Sequence, residues 1–208
     1  MTHEFDKDYW EQRWRQGGSG VPAAMERNPP NPYLVRGTSG LTPGTALDAG
    51  CGAGAEAIWL ATQGWLVTAA DISADALDRA RRRATISGVS EQVRWIEADL
   101  TVWSPDTQFD LVTTHYAHPA MAQLDFYDRI SAWVAPGGTL LIVGHSSAGH
   151  GHHHSPAEAS VTVADISAVL DDACWETVSA EEQLRTLPGP AGKTADLRDV
   201  VVQATRRS

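Results

Sequence analysis

Cysteine is scarce: Cys51 and Cys174 are the only two in 208 residues, which excludes a disulfide-stapled scaffold and fits a reducing compartment. No apolar run approaches the roughly 18 residues that span a bilayer. The opening Met1-Thr2-His3-Glu4-Phe5-Asp6 lacks the apolar stretch of a secretion signal. Together these absences predict a soluble, cytoplasmic protein. Positive charge is also short, with 16 Lys and Arg against 26 Asp and Glu and a formal net charge of −10. Nucleic acid and anionic membrane, which are gripped by clustered cations, are therefore disfavoured as partners. The one basic run, Arg79, Arg81, Arg82 and Arg83, follows Asp75 and Asp78 at helical spacing and reads as a self-paired solvated face. The length suits one α/β domain with a full core and leaves no room for a dinucleotide domain plus a substantial separate substrate domain.

What is present is alternation. A short aromatic helix (Asp6 to Gln16), a Gly/Ser spacer (Gly17 to Gly20) and an irregular Pro-rich segment (Asn28 to Pro32) make residues 1–44 a lid or cap ahead of a domain spanning 45–208. From Thr45 the chain predicts a strand to Asp48, a helix to Gln63, a strand Val67 to Asp71, a helix Ala74 to Ser87 and a strand Val93 to Ala98. A strand Asp110 to Thr114, a helix Ala120 to Val134, a strand Thr139 to Val143, a helix Val163 to Ala173, and strands Glu176 to Leu187 and Asp196 to Thr205 complete it. Pro136-Gly137-Gly138 is expected to stop the helix before it, and Thr162 with Asp165 reads as a capping box. The βα repetition argues for a parallel sheet covered on both faces. Pro188 to Gly192 joins the last two extended runs without a helix, which predicts an antiparallel hairpin.

The first strand runs into Asp48-Ala49-Gly50-Cys51-Gly52-Ala53-Gly54, and an apolar-periodic helix (Ala57, Ile58, Leu60, Ala61) leaves it. Glycines there let a ligand approach main-chain N–H groups at a helix N-terminus. As D-x-G-x-G-x-G the run resembles motif I of the class I S-adenosylmethionine-dependent methyltransferases; as G-x-G-x-x-A it also fits a loose dinucleotide fingerprint, so the loop alone leaves both open. The terminal hairpin favours the first, because class I methyltransferases close their seven-stranded sheet that way whereas the dinucleotide fold ends in parallel strands. The resemblance runs from Thr45 to the end of the chain. Its nearest flavour is the thiopurine methyltransferase and tellurite-resistance-like group, which shares an aromatic N-terminal segment like Tyr9-Trp10-Glu11-Gln12-Arg13-Trp14. It implies an α/β Rossmann-like sheet of order 3-2-1-4-5-7-6 with an antiparallel last strand, helices on both faces, and S-adenosyl-L-methionine as cofactor.

The resemblance also assigns residues. Gly50 and Gly52 are expected to offer main-chain donors, Gly54 to allow close helix packing, and Asp48 to orient water or the ligand amine. Asp71 ends the second strand, where an acceptor-only side chain suits the paired hydroxyls of a ribose; the plainer role is a helix N-cap. Ile72 would pack on the adenine, Asp99 would accept from its amino group, and Leu100 would place a backbone N–H at the ring. Thr114 joins this cofactor set, as do Trp10 and Trp14, four apart on one helical face, unless they form a simple core stripe. Cys51 reads as a packed side chain, since methyl transfer from a sulfonium needs no thiolate.

His115 and Tyr116, after the fourth strand, are the catalytic candidates for general base or acceptor positioning. His145, His150, His152, His153 and His154 crowd the loop from Gly144 to Pro156. Four of them (His150, His152, His153, His154) are a possible metal set, although no metal is expected and an acceptor-site lid is the more economical use. Asn28-Pro29-Pro30 resembles the amino-methylating motif of DNA adenine methyltransferases but precedes the first strand instead of following the fourth. The function expected is methyl transfer to a small-molecule acceptor. The competing readings are an NAD(P)-dependent oxidoreductase and a non-catalytic cofactor- or metal-binding protein built on the histidine loop.

Overall fold

The computed structural model describes residues 5–15, 28–146, 160–188 and 194–208. Its strands are β1 (Thr45–Ala49), β2 (Leu66–Asp71), β3 (Val93–Glu97), β4 (Phe109–His115), β5 (Val134–Ser146), β6 (Ser160–Val161), β7 (Trp175–Pro188) and β8 (Thr194–Arg206). The helices are α1 (Lys7–Arg15), α2 (Pro32–Thr38), α3 (Ala55–Thr62), α4 (Ala74–Ile86), α5 (Gln123–Ser131) and α6 (Val163–Val169). Seven strands run in the order β3-β2-β1-β4-β5-β8-β7, and the two-residue β6 pairs with the end of β5. With β6 set aside this is the order 3-2-1-4-5-7-6. β8 lies antiparallel to both β5 and β7, while β1 to β5 are mutually parallel.

The strands are apolar on both sides because the sheet is covered on both sides. Leu47, Val112, Leu140, Ile142, Val200 and Val202 pack on one face against Phe126, Tyr127 and Ile130 of α5 and Ile166 of α6. Their neighbours Ala46, Leu111, Leu141, Val143 and Val201 pack on the other against Leu34 of α2, Ile58 and Leu60 of α3 and Leu77 of α4. Each fully buried Leu or Ile in these layers contributes about 1.5–3 kcal/mol of transfer free energy. Sequence signals set the helix starts. Ser73 caps α4 by accepting from the Ala76 N–H, and Thr162 with Asp165 forms the reciprocal capping box at α6.

Several boundaries depart from the sequence reading, the largest at α5, which starts at Gln123 instead of Ala120, at the start of β5 and at the end of α6. α5 ends at Ser131, and Val134 already belongs to β5, paired with Phe109. Pro136-Gly137-Gly138 therefore sits inside a strand, where the register between Phe109 and Leu111 is interrupted. An irregularity of this kind needs no N–H from Pro136, so the proline does not break the strand. α6 stops at Val169 rather than Ala173, because Asp171 turns its carboxylate onto the Ala173 N–H and competes with the helix.

Candidate active site

The carboxyl ends of β1, β2, β4 and β5 converge on one edge, and the glycine loop forms its floor. Gly50, Gly52 and Gly54 all take left-handed backbone, with φ of 80°, 50° and 76°, a region costly for residues with a Cβ. A Cβ on Gly50 would lie 2.4 Å from the Ala117 Cβ, and one on Gly54 would lie 2.6 Å from the Trp95 ring. The first fixes the loop against the segment after β4; the second lets α3 approach β3. The expected free donors are a correction. The Gly50 N–H goes to the Ala70 carbonyl at 2.8 Å, with Cys51 N–H on the same oxygen. The Gly52 N–H goes to Asp71 Oδ2 at 2.8 Å. The loop folds by consuming its own donors, so it is no phosphate nest.

Asp71 is half-buried and links two turns, accepting from Gly52 N–H and, at 2.9 Å, from Ser73 N–H. The helix cap is Ser73, not Asp71. A carboxylate has about four lone-pair sites, so Asp71 keeps capacity for a ligand. Burial raises its pKa against the lowering pull of those N–H groups. Ile72 is half-buried beside it. Asp99 accepts from the Thr101 N–H and hydroxyl through one oxygen, which closes the turn after β3, and Leu100 is buried.

Asp48 is buried, and its Oδ2 has no hydrogen-bond partner among the described residues. Burial pushes its pKa well up, and the charges of Glu56 and Asp71 push the same way while the Ala57 backbone N–H opposes them. Glu56 is also raised by burial; its Oε1 accepts from the Asn31 N–H at 3.1 Å. Three carboxylates thus crowd the loop. Such a set repels a pyrophosphate and attracts a cationic group. Cys51 is buried with its thiol pushed well up, as suits a packed side chain. The Thr114 hydroxyl, assigned to the cofactor from sequence, is instead turned inward and donates to the Ala49 carbonyl at 2.8 Å.

His115 and Tyr116 part company. His115 Nδ1 lies 3.4 Å from the Thr113 hydroxyl, and its Nε2 is buried with no partner among the described residues. Burial lowers its pKa to about 3, so the ring is neutral near pH 7 and a weak base. An unfolded histidine takes up its proton near pH 6.5, while the folded ring refuses it down to about 3. Acidification across that window therefore favours the unfolded state. His115→Gln should lose less stability than the parent protein between pH 7.5 and 5.5, by up to about 1.4 kcal/mol per pH unit below 6.5. Urea titrations at both pH values check this, and parallel losses would contradict it.

Tyr116 is the one non-glycine with positive φ among the described residues, at 54°. Its hydroxyl accepts from Arg185 at 2.7 Å, and its ring packs against His145, tilted by 32° with centroids 4.7 Å apart. His145 in turn stacks on His118, whose Nδ1 lies 3.3 Å from Gln123 Oε1. Arg185 also donates from Nε to Asp199 at 3.1 Å; Asp199 is fully buried. Sequence reasoning missed Arg185, Asp199, Glu56 and Gln123. A cation and an acid inside the otherwise apolar runs Leu184-Arg185-Thr186-Leu187 and Asp199-Val200-Val201-Val202 were the available signal.

The two tryptophans of α1 reach different partners. Trp14 is buried with its ring 3.3 Å from the position of a Gly52 Cβ, while Trp10 Nε1 donates to the His118 carbonyl at 3.2 Å. Glu11, on the same helix, accepts from the Ala74 N–H at the start of α4 at 2.8 Å. α1 therefore bridges the glycine loop and the segment after β4. His150, His152, His153 and His154 lie outside the described residues. Among the described residues, no group of three or more His, Cys, Asp or Glu is arranged to hold a metal, and no helix is long and apolar enough to cross a membrane.

Residues 46–138 match the family described as methyltransferase domain. The chain is 60% identical over 78 residues to a release factor glutamine methyltransferase of Chlorobaculum tepidum, covering 36% of this chain and 25% of that protein. The alignments with the curated relatives of highest local identity span from a quarter to about half of those proteins' length. A longer alignment joins it to thiocyanate methyltransferase 1 of Arabidopsis thaliana at 27% identity, covering 88% of this chain and 80% of that one. In three dimensions it is similar to TehB from Haemophilus influenzae, with a TM-score of 0.70 at 14% identity, covering 97% of this chain and 67% of that one.

Proposed function

We propose that this chain, which carries a methyltransferase domain on the class I S-adenosylmethionine-dependent methyltransferase fold, transfers the methyl group of S-adenosyl-L-methionine to a small-molecule acceptor. The observation that carries the reading is the chemistry of the glycine loop. Its N–H groups at Gly50, Cys51 and Gly52 are spent within the protein, and the three carboxylates around it are Asp48, Glu56 and Asp71. That set of acceptors suits a ligand carrying an ammonium, a sulfonium and a ribose. A dinucleotide pyrophosphate would meet repulsion there instead of free N–H groups.

In this reading the orphan Oδ2 of Asp48 accepts from the cofactor's amine, and Asp71 takes the ribose hydroxyls with its remaining lone pairs. Ile72 and Leu100 flank the adenine, and Asp99 accepts from its amino group. Within residues 1–44, α1 acts as a lid, with Trp14 over Gly52 and Trp10 tied to the segment after β4. When bound, the cofactor supplies a methyl group already activated on sulfur, so the protein's work is alignment and exclusion of water. Tyr116 positions the acceptor; His115, half-buried beside Thr113 with its pKa lowered to about 3, is a weak base there.

Incubation with methyl-labelled donor and a panel of thiols, inorganic anions, amines and phenols tests the proposal. Formation of S-adenosylhomocysteine with at least one small acceptor is expected. Donor binding with no product from any class would instead favour a non-catalytic binder.

A further inference from the structure

Resting on that reading, we infer that Arg185 is an acceptor-binding residue and that the acceptor reaches the site as an anion, held by the guanidinium against Tyr116. Arg185 lies on β7 at the same edge as the glycine loop, and its side chain is 26% exposed although its partner Asp199 is wholly buried. Nε is fixed on Asp199 and one Nη on the Tyr116 hydroxyl. A guanidinium has five N–H donors, and the others have no partner among the described residues. Asp199 has no exposed surface, so the group that can meet a ligand is the guanidinium.

Tyr116 ties this cation to the chemistry. Its left-handed backbone, which for a residue with a Cβ costs about 1–2 kcal/mol, brings the phenol to Arg185 and the next residue, Ala117, against Gly50. Strain kept at such a point is typical of a site. The cation is thus one residue removed from the contact with the cofactor loop. His145 and His118, stacked alongside, both have their pKa lowered by burial, His145 to about 4, which makes each a weaker base than a free imidazole. An acceptor that must shed a proton finds no strong base here, whereas an anion needs none. Its lone pair forms the bond to the methyl carbon as the carbon–sulfonium bond breaks and that pair stays on sulfur. An anion and a cation become two neutral molecules, with no proton to place.

The test is calorimetric titration of thiocyanate into the protein saturated with S-adenosylhomocysteine, alongside turnover of thiocyanate and of an uncharged pyridine with the methyl donor. Because Arg185→Gln alone strands a buried carboxylate, the informative variants are Arg185→Gln/Asp199→Asn, which removes the ion pair as a unit, and Arg185→Lys. The double variant should keep its S-adenosylhomocysteine affinity and weaken thiocyanate binding roughly 10–100-fold, as loss of charge-assisted hydrogen bonds predicts. Lysine should recover part of that loss, and pyridine turnover should fall by a smaller factor than thiocyanate binding does. Equal loss for thiocyanate and pyridine, or undiminished thiocyanate binding in the double variant, overturns the inference. Failure of the parent protein to bind S-adenosylhomocysteine would count against the cofactor reading instead.

Discussion

Gly50→Ala is expected to destabilise the protein by roughly 2–5 kcal/mol, the sum of a left-handed alanine and an overpacked contact. The new Cβ would sit 2.4 Å from that of Ala117 at a φ of 80°. Neither the loop nor the segment after β4 can yield easily. The Gly50 N–H is anchored on Ala70, and the Tyr116 N–H is anchored on Val143. Chemical denaturation measures the loss, and Ala117→Gly in the same background sorts its causes. Removing the opposing methyl should return the overpacking part, about 1–3 kcal/mol, and leave the backbone strain. No recovery would mean that the two methyl positions do not oppose each other and that the glycine loop does not rest on the segment after β4.

Asp71→Ala is expected to weaken S-adenosylhomocysteine binding by roughly 1–3 kcal/mol through lost charge-assisted hydrogen bonds. It should also destabilise the free protein, because the N–H groups of Gly52 and Ser73 lose their acceptor. The two effects separate experimentally, affinity by calorimetry at a temperature where the variant is folded and stability by urea titration. Asp71→Asn retains one carbonyl acceptor and should fall between the variant and the parent. A variant that loses stability but binds S-adenosylhomocysteine with parental affinity would reduce Asp71 to a brace for two turns.

The architecture was legible where local signals and tertiary context agree. Alternating apolar runs named the strands of the parallel half, Thr162 with Asp165 announced α6, and a helix-free link between two extended runs announced the antiparallel β7–β8 pair. Misreadings arose where context overrode a strong local signal. Pro136-Gly137-Gly138 reads as a stop, yet pairing with Phe109 carries the strand through it. In the glycine loop, sequence gives the freedom of each residue but not the fate of each N–H, and those of Gly50 and Gly52 turned out to be consumed by Ala70 and Asp71. Glu56, Arg185 and Asp199 went unnoticed because their significance comes from neighbours far along the chain, such as Asn31 for Glu56 and Tyr116 for Arg185.

The central claim is that the glycine loop at the carboxyl ends of β1 and β2, with Asp48, Glu56 and Asp71 around it, suits a sulfonium nucleoside and not a dinucleotide. Parallel calorimetric titrations of the parent protein with S-adenosylhomocysteine and with NADH test it most directly. The account predicts saturable one-to-one binding of S-adenosylhomocysteine and no heat of binding with NADH; saturable binding of NADH with none of S-adenosylhomocysteine would contradict it.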